Sequence, residues 1–280
     1  MDFACASART RRLHVNDLDL HALEWGEPGQ PALCFLHGGA AHAHWFDLVV
    51  PAFGDRFHVL ALDQRGHGES AWASPPAYAT HDFTSDLLAL MGVMGWPRMT
   101  LVGHSMGGHN SMAFSAWHPE RVTALVVVDS RPAIPPERLR GMQARGRRAP
   151  RHHPTAEAAV RAFRLLPPDT KAAPEFMAHL GRAGIVERPQ GWRYRFDPGA
   201  YGERNPHDNW ATMARIQAPT LVVRGELSPV LTKEMTDRIL REIPRVTVTT
   251  VPGAFHHVTV DAPAAFVAAL APFLEQTVGR

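Results

Sequence analysis

The chain has 280 residues, is 45% hydrophobic and carries a formal net charge of +2, which suits one large domain or a domain with a sizeable insertion and argues against a disordered chain. No run approaches the roughly 18 apolar residues of a membrane helix, and MDFACASARTRRLHV at the start holds no apolar stretch of signal-peptide length; the expectation is a cytoplasmic protein with no membrane partner. The two cysteines, Cys5 in the N-terminal tail and Cys34 in an apolar run, are too few for a disulfide framework.

Short β-rich runs come first: RRLHV, LDLHALEW, PALCFL and FHVLALD, the last opening at Phe57. They are read as strands because β-branched and aromatic residues dominate them and turn residues bound them. After a glycine-punctuated loop, QRGHGES, apolar residues Phe83, Leu87, Leu90 and Met94 recur at helical spacing, so a helix is expected over Thr80–Gly95 with Thr80 or Asp82 as its cap. MTLVG follows as a strand, then a helix from about Met106 to Trp117. VTALVVVD is almost wholly apolar, as a strand buried on both faces should be.

From Ser130 to Ala218 the texture changes: prolines, Arg clusters such as ARGRR, one amphipathic piece from Ala156, and no strong strand. Between Arg131 and Gln217 stand 16 basic and 8 acidic residues, a local +8 that leaves −6 for the rest of the chain. Neither a nucleic-acid motif nor aromatic interleaving accompanies this charge, so nucleic acid is not expected as a partner. The alternation then resumes with TLVVRG as a strand, TKEMTDRILREI as a helix, RVTVTTV as a strand, and a closing helix capped by Asp261. The architecture expected is a mostly parallel twisted sheet with helices on both faces. Its core spans residues 1–130 and 218–280, and a helical insertion spans 131–217.

The chemistry is concentrated in LVGHSMGGHN. Gly103 and Gly107 flank Ser105 at the two positions that a sharp strand-to-helix turn keeps free of side chains, the pattern of a nucleophile elbow. A serine hydroxyl needs a base, an acid to orient that base, and donors for an oxyanion. In an open α/β sheet these belong at the carboxyl ends of strands. VPGAFHHV follows the last strand and offers His256 or His257 as the base. HGGA follows PALCFL and offers the Gly39 N–H, with the Met106 N–H as second donor. His37 reads as a hydrogen-bonding residue of that loop. Asp63, Arg65 and His67 read as residues that shape the loop after their strand. The 17 histidines show no metal-ligand spacing, so no metal site and no cofactor are expected.

Taken together, HGG at 37–39, DQRGHGES at 63–70, GHSMGG at 103–108 and GAFHHV at 253–258 make the chain resemble the α/β-hydrolase fold superfamily, of the serine esterase, lactonase and C–C hydrolase type. The resemblance implies a cap or lid at the position of the insertion and His256 rather than His257 as base; Gly38 and His104, beside the elbow, are read as substrate contacts, with packing under the elbow the alternative for His104. It further implies hydrolysis of an ester-like carbonyl in a small molecule through an acyl-enzyme. The Arg excess of the insertion reads as a solvated basic face, with recognition of a carboxylate on the substrate as the alternative. Most members place an Asp three residues after the glycine that ends the strand TLVVRG, where this chain has Ser228. Two carboxylates stand in its place: Asp129 at the end of VTALVVVD, as in some members, and Glu226 as the alternative. A C–C hydrolase of ring-cleavage products, a non-hydrolytic lyase and a ligand sensor share the same frame.

Overall fold

The computed structural model describes residues 8–278; Cys5 lies outside them. Strands β1 (Arg9–Val15) and β2 (Leu18–Trp25) pair antiparallel through a tight turn. Its two residues, Asn16 and Asp17, hold positive φ of 48° and 59°, a conformation these short polar residues tolerate. β3 (Ala32–Leu36) and β4 (His58–Leu62) are buried along their whole length. Helix α1 (Thr80–Met94) ends on Gly95 at φ 67°, the left-handed stop that glycine adopts at low cost. Its N-cap is Ala79 rather than Thr80 or Asp82. Asp82 acts from inside the first turn, its carboxylate accepting the Ala79 N–H at 2.8 Å, and the Thr80 hydroxyl instead accepts the His207 N–H at 3.0 Å. β5 (Met99–His104), α2 (Met106–Trp117) and β6 (Val122–Val128) complete the first half.

Between Asp129 and Thr220 the chain leaves the sheet. It forms α3 (Pro136–Gly146), α4 (Ala156–Ala162) and α5 (Pro174–Ala183), then β7 (Ile185–Arg188) paired antiparallel with β8 (Gly191–Tyr194), then the single turn α6 (Gly199–Gly202). The hairpin departs from the expectation of an insertion without strands. Its four-residue arms, IVER and GWRY, are too short for alternation to show in sequence. β9 (Thr220–Gly225), α7 (Lys233–Glu242) and β10 (Val246–Val251) return the chain to the sheet. The closing helix is split into a short α8 (Val258–Asp261) and a long α9 (Pro263–Val278). Asp261 therefore does not cap it. The Asp261 carboxylate accepts from the Thr170 hydroxyl at 2.5 Å, the Lys171 N–H at 2.9 Å and the Phe255 N–H at 3.0 Å, tying the insertion to the loop after β10.

The eight strands run in the order β1-β2-β4-β3-β5-β6-β9-β10, parallel from β4 onward, with β1 and β2 antiparallel at one edge. Alternate residues feed two cores. Leu33, Phe35 and Val102 pack toward α9, through Phe266 and Leu270, on one face. Cys34, Leu36 and Leu101 pack toward α1 and α2, through Leu87 and Met112, on the other. Each such apolar side chain, fully buried, contributes about 1.5–3 kcal/mol. The arrangement fixes the carboxyl ends of β3, β5, β6 and β9 side by side. Among the described residues no helix is long and apolar enough to cross a membrane.

Candidate active site

Ser105 joins β5 to α2 with φ 52° and ψ −113°, a strained backbone that persists only where the surroundings over-determine it. They do so here. The Ser105 N–H donates to the Val128 carbonyl at 3.0 Å, and the Ser105 carbonyl accepts from the Ser130 hydroxyl at 2.6 Å. A Cβ on Gly103 would lie 2.5 Å from the Gly107 carbonyl carbon, and one on Gly107 only 2.1 Å from the Leu36 oxygen. No side chain fits either site, which is why the helix can start so close to the strand. Ser105 thus stands at the positive end of the α2 dipole.

The loop after β10 carries His256 onto this serine. His256 Nε2 is 3.0 Å from Ser105 Oγ, and its Nδ1–H donates to Asp129 Oδ1 at 2.9 Å. Asp129 itself directly follows β6 at φ 43°, fully buried. Its Oδ1 also accepts the Ser228 hydroxyl at 2.5 Å, and its Oδ2 accepts the Gly225 N–H at 2.8 Å. Gly225 must be glycine, because a Cβ there would come within 2.1 Å of the Phe255 carbonyl oxygen in the histidine loop. Glu226 is not drawn in: it is exposed, and its carboxylate accepts the Gly253 N–H at 2.7 Å.

Charge in this pocket is disfavoured on both partners. Burial pushes the Asp129 carboxyl up to about 7, against the bonds from Ser228 and Gly225 that favour its ionised form. Burial, followed by the nearby His257, Arg131 and Arg138, holds His256 well below the ordinary histidine range. The imidazole is therefore neutral at rest, with Nδ1–H fixed toward Asp129 and a lone pair on Nε2 toward the serine. His257 points elsewhere, its Nε2–H donating to the Pro167 carbonyl at 2.9 Å.

Ser105, Met106, His256 and Gly39 line one cavity of about 610 Å³, roofed by residues of the insertion that include Met142, Leu166 and Tyr201. The Tyr201 hydroxyl lies against Gly39, 2.9 Å from where a Cβ would be. Gly38 and His104 are absent from this lining and border a smaller recess of about 40 Å³ behind the serine. His104 Nε2–H donates to the His256 carbonyl at 3.0 Å, so it braces the histidine loop from beneath.

His37 and the loop after β4 are held in place by hydrogen bonds of their own. His37 Nε2 accepts the Gln64 N–H at 3.0 Å and the Gln64 amide returns a bond to the His37 carbonyl at 2.8 Å. Asp63 receives the Ala43 N–H at 2.6 Å, His21 at 2.7 Å and the Glu69 N–H at 2.8 Å. Burial would raise this carboxyl, yet His21 and the neighbouring histidines hold it well below the usual range. Arg65 grips Asp86 with two bonds of 2.5 and 2.6 Å. Among the described residues, two clusters each bring three metal-ligating side chains together, His104–His256–His257 and His44–Asp47–His179. In the first, His256 already spends both nitrogens on Asp129 and Ser105. In the second, Asp47 Oδ2 accepts from both histidines at 2.8 and 2.7 Å.

Sequence reasoning did not single out Tyr201, Arg204, Ser130 or Arg131 as parts of this cavity. Tyr201, Arg204 and Arg131 reach it through the fold of the insertion, which carries no motif, and Ser130 through its place directly after Asp129. Ser228 was visible only as the residue standing where an acid was expected.

The model of the alpha/beta hydrolase fold family matches residues 31–263, and the chain belongs to that family. Among curated relatives, 2-(acetamidomethylene)succinate hydrolase of Mesorhizobium japonicum is 28% identical and aligns over 98% of both chains. Epoxide hydrolase A of Mycobacterium tuberculosis is 31% identical over 95% of this chain and 98% of its own. The crystal structure of E-2-(acetamidomethylene)succinate hydrolase superposes with a TM-score of 0.84 at 25% identity, covering 96% of this chain and 99% of that one. These relatives are hydrolases, and this chain is an enzyme of the hydrolase class.

Proposed function

We propose that the chain is a serine hydrolase that cleaves an ester-like bond in a small molecule through an acyl-enzyme, with residues 131–217 acting as its cap. The observation that carries the reading is the chain of contacts Ser105–His256–Asp129, at 3.0 and 2.9 Å. His256 Nε2 takes the Ser105 proton as the oxygen attacks the carbonyl carbon, and Asp129 stabilises the imidazolium that forms. The Gly39 and Met106 N–H groups receive the oxyanion at the start of α2, where each donor is worth about 2.7–4 kcal/mol in the transition state. His256 then gives its proton to the leaving group. A water activated by the same imidazole releases the acyl group and restores Ser105. The relative named for 2-(acetamidomethylene)succinate hydrolysis supports a small carbonyl-bearing substrate. Epoxide hydrolase A supports only the hydrolase class, since the elbow here carries serine.

The test is fluorophosphonate labelling together with turnover of p-nitrophenyl acetate. Wild type should label and turn over, Ser105→Ala should do neither, and Asp129→Asn should lose about 10,000-fold in rate because its histidine takes the wrong tautomer. Glu226→Gln should match wild type. Labelling of Ser105→Ala, or collapse of Glu226→Gln with Asp129→Asn intact, would overturn the reading.

A further inference from the structure

Arg204 is among the largest fully buried side chains of the molecule, 2% exposed, and it lines the same cavity as Ser105 and His256. Its Nε and Nη1 have no hydrogen-bond partner among the described residues. One neighbour is the face of Phe83, 5.3 Å from the guanidinium carbon. Burial lowers its pKa only to about 10, so it remains charged at neutral pH. Leaving a buried cation unpaired costs several kcal/mol, and a fold that tolerates this usually does so for function.

The residue is also held in place. The Arg204 carbonyl accepts from the Gln143 amide at 3.1 Å, and its N–H donates to the Tyr201 carbonyl at 3.3 Å. Gly146, at the end of α3, has no room for a Cβ, which would lie 2.2 Å from the Gly202 nitrogen. The turn that presents Arg204 is therefore locked against α3. From α3 and the segment before it come Arg131, Arg138 and Arg145, which line the cavity with Arg204 against a single acid, Glu137. The cavity wall is net positive, and its deepest cation has donors to spare.

Resting on the serine-hydrolase reading above, we infer that Arg204 anchors an anion subsite which binds a carboxylate on the substrate, so that the natural substrates are carboxylate-bearing esters or amides. The side-on edge of the guanidinium pairs Nε with Nη2 and the end-on edge pairs Nη1 with Nη2; each edge carries an unspent donor, and each is a planar fork that matches the two oxygens of a carboxylate. The carboxylate supplies the charge the wall lacks and fixes which carbonyl faces Ser105. Arg131, Arg138 and Arg145 would draw the anion inward from the rim.

The experiment compares mono-p-nitrophenyl glutarate with p-nitrophenyl acetate, which share a leaving group and differ in the distal carboxylate. Wild type should prefer the glutarate ester, and free glutarate should competitively inhibit acetate hydrolysis. In Arg204→Met the glutarate-to-acetate preference in kcat/KM should fall by about 10- to 100-fold, the range of a bond to a charged group, with Arg204→Lys between the two. A merely structural arginine would lower both rates together and leave the preference alone, which would overturn the subsite. Absence of glutarate preference and inhibition in wild type would do the same whether or not the variants fold, as would stronger inhibition by inorganic phosphate than by glutarate. Failure of wild type to label or to hydrolyse either ester would instead sink the serine mechanism.

Discussion

Ser228 donates its hydroxyl to Asp129 across 2.5 Å, from the position after β9 where the resemblance led an acid to be expected. The carboxylate stands at the end of the neighbouring strand β6, and the Ser228 hydroxyl holds it. The Ser228 hydroxyl and the His256 Nδ1–H both address Asp129 Oδ1. Removing the hydroxyl should weaken the ionised carboxylate. Ser228→Ala is expected to lose about tenfold or more in kcat/KM, as the loss of a bond to a charged group implies, and to shift the acid limb of the pH profile upward. Steady-state rates between pH 5 and 9 would show both.

The same geometry predicts that the acid can be relocated. Asp129→Asn alone should be nearly inactive, and adding Ser228→Asp should recover a measurable part of the rate, because a carboxylate at 228 starts from a position already within reach of the imidazole. Ser228→Asp on its own sets two carboxylates against each other in a buried site and should be slower than wild type. Rates of the three variants decide it: a double variant no faster than Asp129→Asn would show that the strand end matters more than the charge.

The pH dependence follows from the buried pair. Asp129, pushed up to about 7, and His256, held low, titrate as one unit. In the proposed mechanism the active form has an ionised Asp129 and a neutral His256, so adding one proton to the pair would abolish the base. Activity should fall as pH drops through an inflection near 7, not near the acid range of a free carboxyl. A kcat/KM profile flat down to pH 5 would contradict this account of burial.

Two further substitutions probe the frame. Arg65→Leu strands Asp86 as an unpaired buried charge and should cost about 3–5 kcal/mol, read from denaturant unfolding. The loss should appear as stability, with little change in kcat for the fraction that folds.

Gly107→Ala places a methyl group 2.1 Å from the Leu36 oxygen. Backbone on both sides must move, so destabilisation beyond about 4 kcal/mol is expected, a size reserved for specific clashes. Soluble yield and thermal melting would reveal it, and a near-wild-type melting temperature would refute the packing argument.

The strands and the helix α2 were legible because each buried run announces itself through continuous apolar residues between turn signals. Ser105 and its glycines were legible because the close approach of α2 to β3 leaves one residue type for Gly103 and Gly107. Asp129 could be reached from its place at the end of an apolar strand, while the competing Glu226 could be set aside only by seeing its carboxylate turned to the Gly253 N–H. Arg204 and Tyr201 could not be found that way: their position depends on how α3 meets the turn at α6, and nothing in an Arg-rich stretch marks which guanidinium ends up buried. The split of the closing helix was hidden for a related reason, since Asp261 looks like a cap until its carboxylate is seen serving Thr170 and Phe255.

At the end of β6, three consecutive residues do unlike jobs: Asp129 reaches His256, Ser130 bonds the Ser105 carbonyl at 2.6 Å, and Arg131 borders the cavity. There is no spacer between the part of the chain that steers the imidazole and the part that begins the cover. A chimera that exchanges the insertion for another would therefore have to be spliced after Ser130, since a junction two residues earlier would replace the Asp129 that holds His256 and the Ser130 that holds Ser105 with the same cut.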